Sequence, residues 1–209
     1  GGASMNNVVD IYMTGDTTLN YFGYSVSGGG DVNGDGFADM VAGAFGYNSS
    51  TGRAYVYTNT MTGEDIPDVT MTAETNGDAF GYSVSDAGDV NGDGYGDIIV
   101  GACFYGDSSR GRAYLFYGGV TMDNIADVIF TSNETLAFFG LSVSSAGDVN
   151  GDGFDDVIIG AAARSYIYYG SLTMNNTADV TMYYGEIGFH FGYSVSSAGD
   201  VNGDGFSDV

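Results

Sequence analysis

The chain has 209 residues and a formal net charge of −23, with 27 acidic residues set against four arginines and no lysine. That balance excludes nucleic acid as a partner, leaves no basic patch for an anionic membrane, and no apolar run approaches the roughly 20 residues a membrane helix needs, so no membrane insertion is expected. With 36 glycines, 17 tyrosines and 13 phenylalanines but one proline and no tryptophan, the composition favours short strands and glycine turns over helices.

In chain order, Gly1-Gly2 matches Gly118-Gly119 further on, so residues 1–21 are expected to carry the outer strand of a preceding unit, around Val8 to Met13. A repeat then opens at Phe22 with FGYSVSGGGDVNGDGFAD. It returns at Phe80, Phe139 and Phe191, at spacings of 58, 59 and 52 residues. Periods of this size mark stacked architectures. They divide the chain into units 22–79, 80–138 and 139–190, with the start of a further unit at 191–209.

Within the second unit the predicted strands are Tyr82–Ser85, alternating apolar and small polar; Asp97–Val100, continuously apolar; Arg112–Tyr117; and Ala126–Phe130. Four short strands per repeat describe one propeller blade. The expected fold is therefore all-β, with blades of four antiparallel strands: three full blades and partial blades at both ends. Small residues crowd the first strand, as at Ser25, Ser27 and Gly28, which suits the narrow space near a propeller axis. Length varies only between Gly43, Gly101 or Gly160 and Arg53, Arg112 or Arg164, where 10, 11 and 4 residues separate the pairs. Insertions collect in exposed loops, so this is the variable loop.

Between first and second strands each unit carries Asp-Val-Asn-Gly-Asp-Gly-aromatic-x-Asp. Side-chain oxygens at loop positions 1, 3, 5 and 9 and a backbone carbonyl at position 7 make a cage of hard oxygen ligands, the donor set that selects Ca²⁺. The candidate ligands are Asp31, Asn33, Asp35, Phe37 and Asp39; Asp89, Asn91, Asp93, Tyr95 and Asp97; Asp148, Asn150, Asp152, Phe154 and Asp156; and Asp200, Asn202, Asp204, Phe206 and Asp208. One ion per loop gives up to four. Glycines at positions 4 and 6 let the chain curl tightly enough for alternate side chains to face inward. An EF-hand closes on Glu at position 12, but Ala42, Val100 and Ile159 stand there. Mg²⁺ demands near-octahedral geometry and dehydrates reluctantly, and a loop offering five protein oxygens suits Ca²⁺ better.

Phe22-Gly23 with Ala42-Gly43-Ala44, and the equivalents beginning at Phe80, Phe139 and Phe191, resemble the FG-GAP repeats of integrin α-subunit propellers over nearly the whole chain. The family's calcium loop falls on the residues already named. The resemblance implies an extracellular or cell-surface, non-catalytic module for adhesion or ligand binding, with a protein or glycan partner. Where the family has proline after Gly-Ala, this chain has Phe45, Cys103 and Ala162.

Two other readings compete. A structural repeat of a surface filament or stalk would also use near-identical units. A polysaccharide-active enzyme domain would need a poised acid or base, yet lysine is absent and His190 stands alone. Tyr47, Tyr105 and Arg110 in the variable loops are candidate glycan contacts, weighed against ordinary packing. Cys103, the sole cysteine, reads as a small core residue, and Asn48, Asn133 and Asn175 meet the glycosylation rule for a host that glycosylates. Arg53, Arg112 and Arg164 share one register and are expected to pair with carboxylates. Three blades fall short of the four to eight that close a propeller, so further blades are expected from a longer chain or an oligomer.

Overall fold

The computed structural model describes residues 12–58, 66–184 and 190–209. Among the described residues, twelve strands form three four-stranded antiparallel sheets, each in sequence order. The first holds β1 (Ser25–Gly28), β2 (Met40–Ala44), β3 (Arg53–Tyr57) and β4 (Val69–Thr72); the second β5 (Ser83–Gly88), β6 (Asp97–Ala102), β7 (Arg112–Phe116) and β8 (Val128–Thr131); the third β9 (Ser142–Gly147), β10 (Asp156–Ala161), β11 (Arg164–Tyr168) and β12 (Val180–Tyr183). These are propeller blades. The helical turn Tyr47–Ser50 in the first variable loop is left-handed at Asn48 and Ser49, with φ of 45° and 57°.

The continuously apolar second strands are covered on both faces. In β6, Ile98 and Val100 pack towards the first sheet with Val41, Val56 and Met71, while Ile99 packs towards the third with Val143, Val157 and Ile159. One sheet alone could bury neither face, so stacking supplies the core.

The Phe-Gly pair forms the junction between sheets. Phe80 is 1% exposed and sits between the first two sheets, its ring edge-on to Tyr114 and Phe116 with centroids 5.2 and 6.2 Å away. Phe139 takes the same place one sheet later, tilted against Tyr166 and edge-on to Tyr168. The glycines that follow, Gly81, Gly140 and Gly192, lay their carbonyls against Gly43, Gly101 and Gly160 of the preceding sheet, where any Cβ would collide with them. The inner-strand serines do more than save space. Ser83 and Ser142 donate to the Gly140 and Gly192 carbonyls at 2.8 and 2.9 Å, and Ser25 Oγ accepts from the Val84 N–H at 3.0 Å.

The arginine expectation holds. Arg53 pairs with Asp16 at 2.8 Å, Arg112 with Glu74 at 3.4 Å and Arg164 with Glu134 at 2.7 Å, each acid lying in the segment that leads into the arginine's own sheet. Two guanidinium groups also lie over tyrosine rings, Arg53 over Tyr47 at 3.7 Å and Arg112 over Tyr105 at 3.6 Å. Both rings thus make packing contacts, while Arg110, the third candidate glycan contact, is exposed. These pairs are partly solvated, so Glu134→Gln should lower stability by about 1 kcal/mol or less, read as a small drop in urea midpoint.

The outer strand around Val8 to Met13 falls almost wholly outside the described residues. The inner strand expected in 191–209 is not formed: that segment keeps its loop, with only an isolated Gly199–Asp208 bridge. An inner strand is held by the second strand of its own blade, and among the described residues no strand pairs with this segment. Cys103 is fully buried, and burial pushes its thiol up to about 12, as for a core residue.

Candidate metal centre

All four Asp-Val-Asn-Gly-Asp-Gly loops fold alike, because the curl is written in local bonds. Asp31 Oδ1 accepts from the N–H groups of Gly34 and Asp35 at 2.8 and 3.0 Å, and its Oδ2 from Gly36 at 2.8 Å. Asn33 Oδ1 accepts from Asp35 N–H and Asp35 Oδ1 from Phe37 N–H, both at 2.9 Å. The same bonds recur around Asp89, Asp148 and Asp200. Gly34 and Gly36 adopt φ of 75° and 87°, the left-handed region that makes glycine necessary there.

The ninth position anchors the loop to the sheet. Asp97 is completely buried and accepts from Val90 N–H and from Gly118 N–H, both at 2.8 Å; Asp156 does the same with Val149 and Gly170. Burial pushes Asp97 up to about 7 and Asp156 up to about 6, with the N–H donors opposing it. At the exposed first position of the fourth loop the donors prevail, and the Gly205 N–H above all holds Asp200 below the usual carboxylate range.

The loop thus gathers four side chains bearing oxygen and one carbonyl along a backbone already curled. No three His, Cys, Asp or Glu side chains among the described residues converge closely enough to grip an ion between them. Each first-position carboxylate instead turns onto backbone N–H groups, and in the first three loops the Asn donates to the fifth-position Asp, as Asn33 Nδ2 does to Asp35 Oδ2 at 3.2 Å. The donor chemistry fits a hard divalent cation, which a carboxylate turn within the curled loop would admit.

At the opposite end of the sheets, where strands β1 and β5 begin and β2 and β6 end, sequence reasoning missed a run of rings. Tyr21 and Tyr24 meet Phe45 at 4.8 and 4.7 Å, Tyr24 meets Tyr82 at 5.1 Å, and Tyr82 meets Phe104 at 6.0 Å. The signal was present, since an aromatic residue follows Phe-Gly in three of the four repeats. His190 stacks edge-on with Tyr193 at 4.5 Å, a packing contact.

The FG-GAP-like repeat family matches residues 31–100, and the FG-GAP repeat family matches residues 139–172. The chain is an FG-GAP repeat protein. It is 32% identical over 185 residues to integrin alpha-5 of Xenopus laevis, covering 81% of this chain and 18% of that protein. Integrin alpha-7 of Rattus norvegicus is 32% identical over 207 residues, covering 93% of this chain and 18% of its own length; integrin alpha-PS3 of Drosophila melanogaster is 33% identical over 214, covering 94% and 19%. The FG-GAP chain thus spans about a fifth of the length of these relatives. Among the described residues no helix is long and apolar enough to cross a membrane.

Proposed function

We propose that this FG-GAP chain is a calcium-stabilised, non-catalytic propeller segment, with blades at 22–79, 80–138 and 139–190, that serves adhesion or ligand binding at the cell surface or outside the cell. The observation that carries the reading is the fourfold loop: one donor pattern, on one backbone curl, at the same place in each repeat. Three carboxylates in each loop repel one another without a cation. Extracellular modules use weak sites, about 10⁻⁴ to 10⁻³ M, because ambient calcium is high there. The integrin relatives support a protein partner and the aromatic run at the other end of the sheets supports a contact surface. A glycan array and a pull-down against surface proteins separate the two partner classes.

Calcium binding adds stability by mass action, since the unfolded chain has no curled loop to bind it. Excess EDTA should lower the melting temperature and strip the ion. Asp93 is exposed and central to its loop; Asp93→Ala should reduce bound calcium by one ion per chain and spare the other loops. Unchanged melting and unchanged metal content under EDTA would refute the metal reading.

A further inference from the structure

The four loops are joined to one another in a chain. The backbone carbonyl of each first-position Asp accepts the N–H of the eighth residue of the next loop: Gly96 to Asp31 at 2.9 Å, Asp155 to Asp89 at 3.1 Å and Ser207 to Asp148 at 2.9 Å. That eighth residue lies between two of its own loop's candidate ligands, the seventh carbonyl and the ninth carboxylate. The seventh ring reaches back as well. Tyr95 lies against Gly34 and Phe154 against Gly92, so close that a Cβ on either glycine would come within 2.6 Å of the ring, and Phe206 lies closer still to Gly151. Each of these glycines is the fourth residue of its loop, the point where the left-handed curl sets the ligands on either side. Phe37 has no loop before it among the described residues, and it is 60% exposed while Tyr95 and Phe154 are half-buried.

We infer that these contacts couple the calcium loops, so that filling one orders its neighbour and the ions bind with positive cooperativity along the repeats. The inference rests on the calcium reading above. An ion that fixes Asp31 and the curl at Gly34 fixes the seat of the Tyr95 ring and the Gly96 N–H, and so sets the carbonyl of Tyr95 and the carboxylate of Asp97. The ordering cost of the second loop is then partly met before its ion arrives. Coupling of this kind is reciprocal, and typical values make the second ion bind at least about fivefold more tightly than the first. Tyr95 and Phe154 are positioning residues: they offer only their carbonyls as candidate ligands, and truncating the rings leaves those carbonyls in place.

The test is calcium titration of the whole chain, read as a Hill coefficient against a competing chelator dye and as the distribution of ion counts by native mass spectrometry. The unaltered chain should show a Hill coefficient above 1, with metal-free and filled species at the expense of intermediates. Y95A/F154A should move both readouts towards independent sites, whereas Tyr183→Ala, which removes an exposed ring on β12 beside Arg164 at the end of the sheet away from the loops, should behave as the unaltered chain. Circular dichroism at saturating calcium checks that the variants fold, and if Y95A/F154A does not, the ion-count distribution of the unaltered chain still decides. Binding with a Hill coefficient of 1 and a binomial spread of counts overturns the coupling and leaves the calcium reading intact. Cooperativity that survives in folded Y95A/F154A overturns the role of the rings. No bound ion at millimolar calcium overturns the reading beneath both.

Discussion

Replacing Gly101 by alanine is expected to loosen the third sheet from the second and to lower stability by about 3 kcal/mol or more, at the upper end of overpacking costs. The reason is what the new methyl group meets: the backbone carbonyl of Gly140 and the Ser83 hydroxyl that donates to it. A side chain in that position would turn aside, but a carbonyl fixed in the next sheet cannot. At this chain length about 3 kcal/mol corresponds to a melting shift of roughly 6 to 12 °C. Gly28→Ala is the matched control, since its Cβ meets nothing within 4 Å and its φ lies outside the left-handed region. Urea denaturation of the pair measures the difference. Equal midpoints for the two variants would show that the sheets do not meet through these glycines.

Asp97→Ala should be the more damaging of two substitutions in one loop, even in EDTA. Its carboxylate is fully buried and satisfies both the Val90 and the Gly118 N–H groups. Removing it leaves two buried donors unmet, at about 1 to 3 kcal/mol each, or about 4 kcal/mol together. Asp93→Ala removes a candidate ligand of the same loop from an exposed position, and its cost should appear only when calcium is present. The two variants should therefore lose one bound ion alike but separate by several kcal/mol in urea midpoint under EDTA. If they coincide there, Asp97 is not the brace that ties the loop to its sheet.

The features legible in the sequence are those whose physics is local. The Asp-Val-Asn-Gly-Asp-Gly loop is one: its candidate ligands stand two residues apart with glycines between them, and the first-position bonds that make the curl span five residues or fewer. The second strands are another, since Ile98-Ile99-Val100 has no polar face to offer solvent. The junctions were less readable, because Gly43 meets Gly81 38 residues away and Ser83 meets Gly140 57 residues away, and these glycines have no side chain to advertise the contact. The rings on the loop glycines were hidden for the same reason. The arginine stacks of Tyr47 and Tyr105 were hidden too, although each tyrosine precedes its arginine by six or seven residues, and the third repeat, with its shorter loop, lacks both the tyrosine and the stack.

Crystallography can show directly whether these loops hold calcium. Crystals of the chain grown in millimolar calcium should show one anomalous peak inside each loop, at about 2.3–2.6 Å from the named oxygens, as in Asp31, Asn33, Asp35, the Phe37 carbonyl and Asp39. Loops that keep Asp31, Asp89, Asp148 and Asp200 turned onto their backbone N–H groups, with no peak beside them at that concentration, would contradict it.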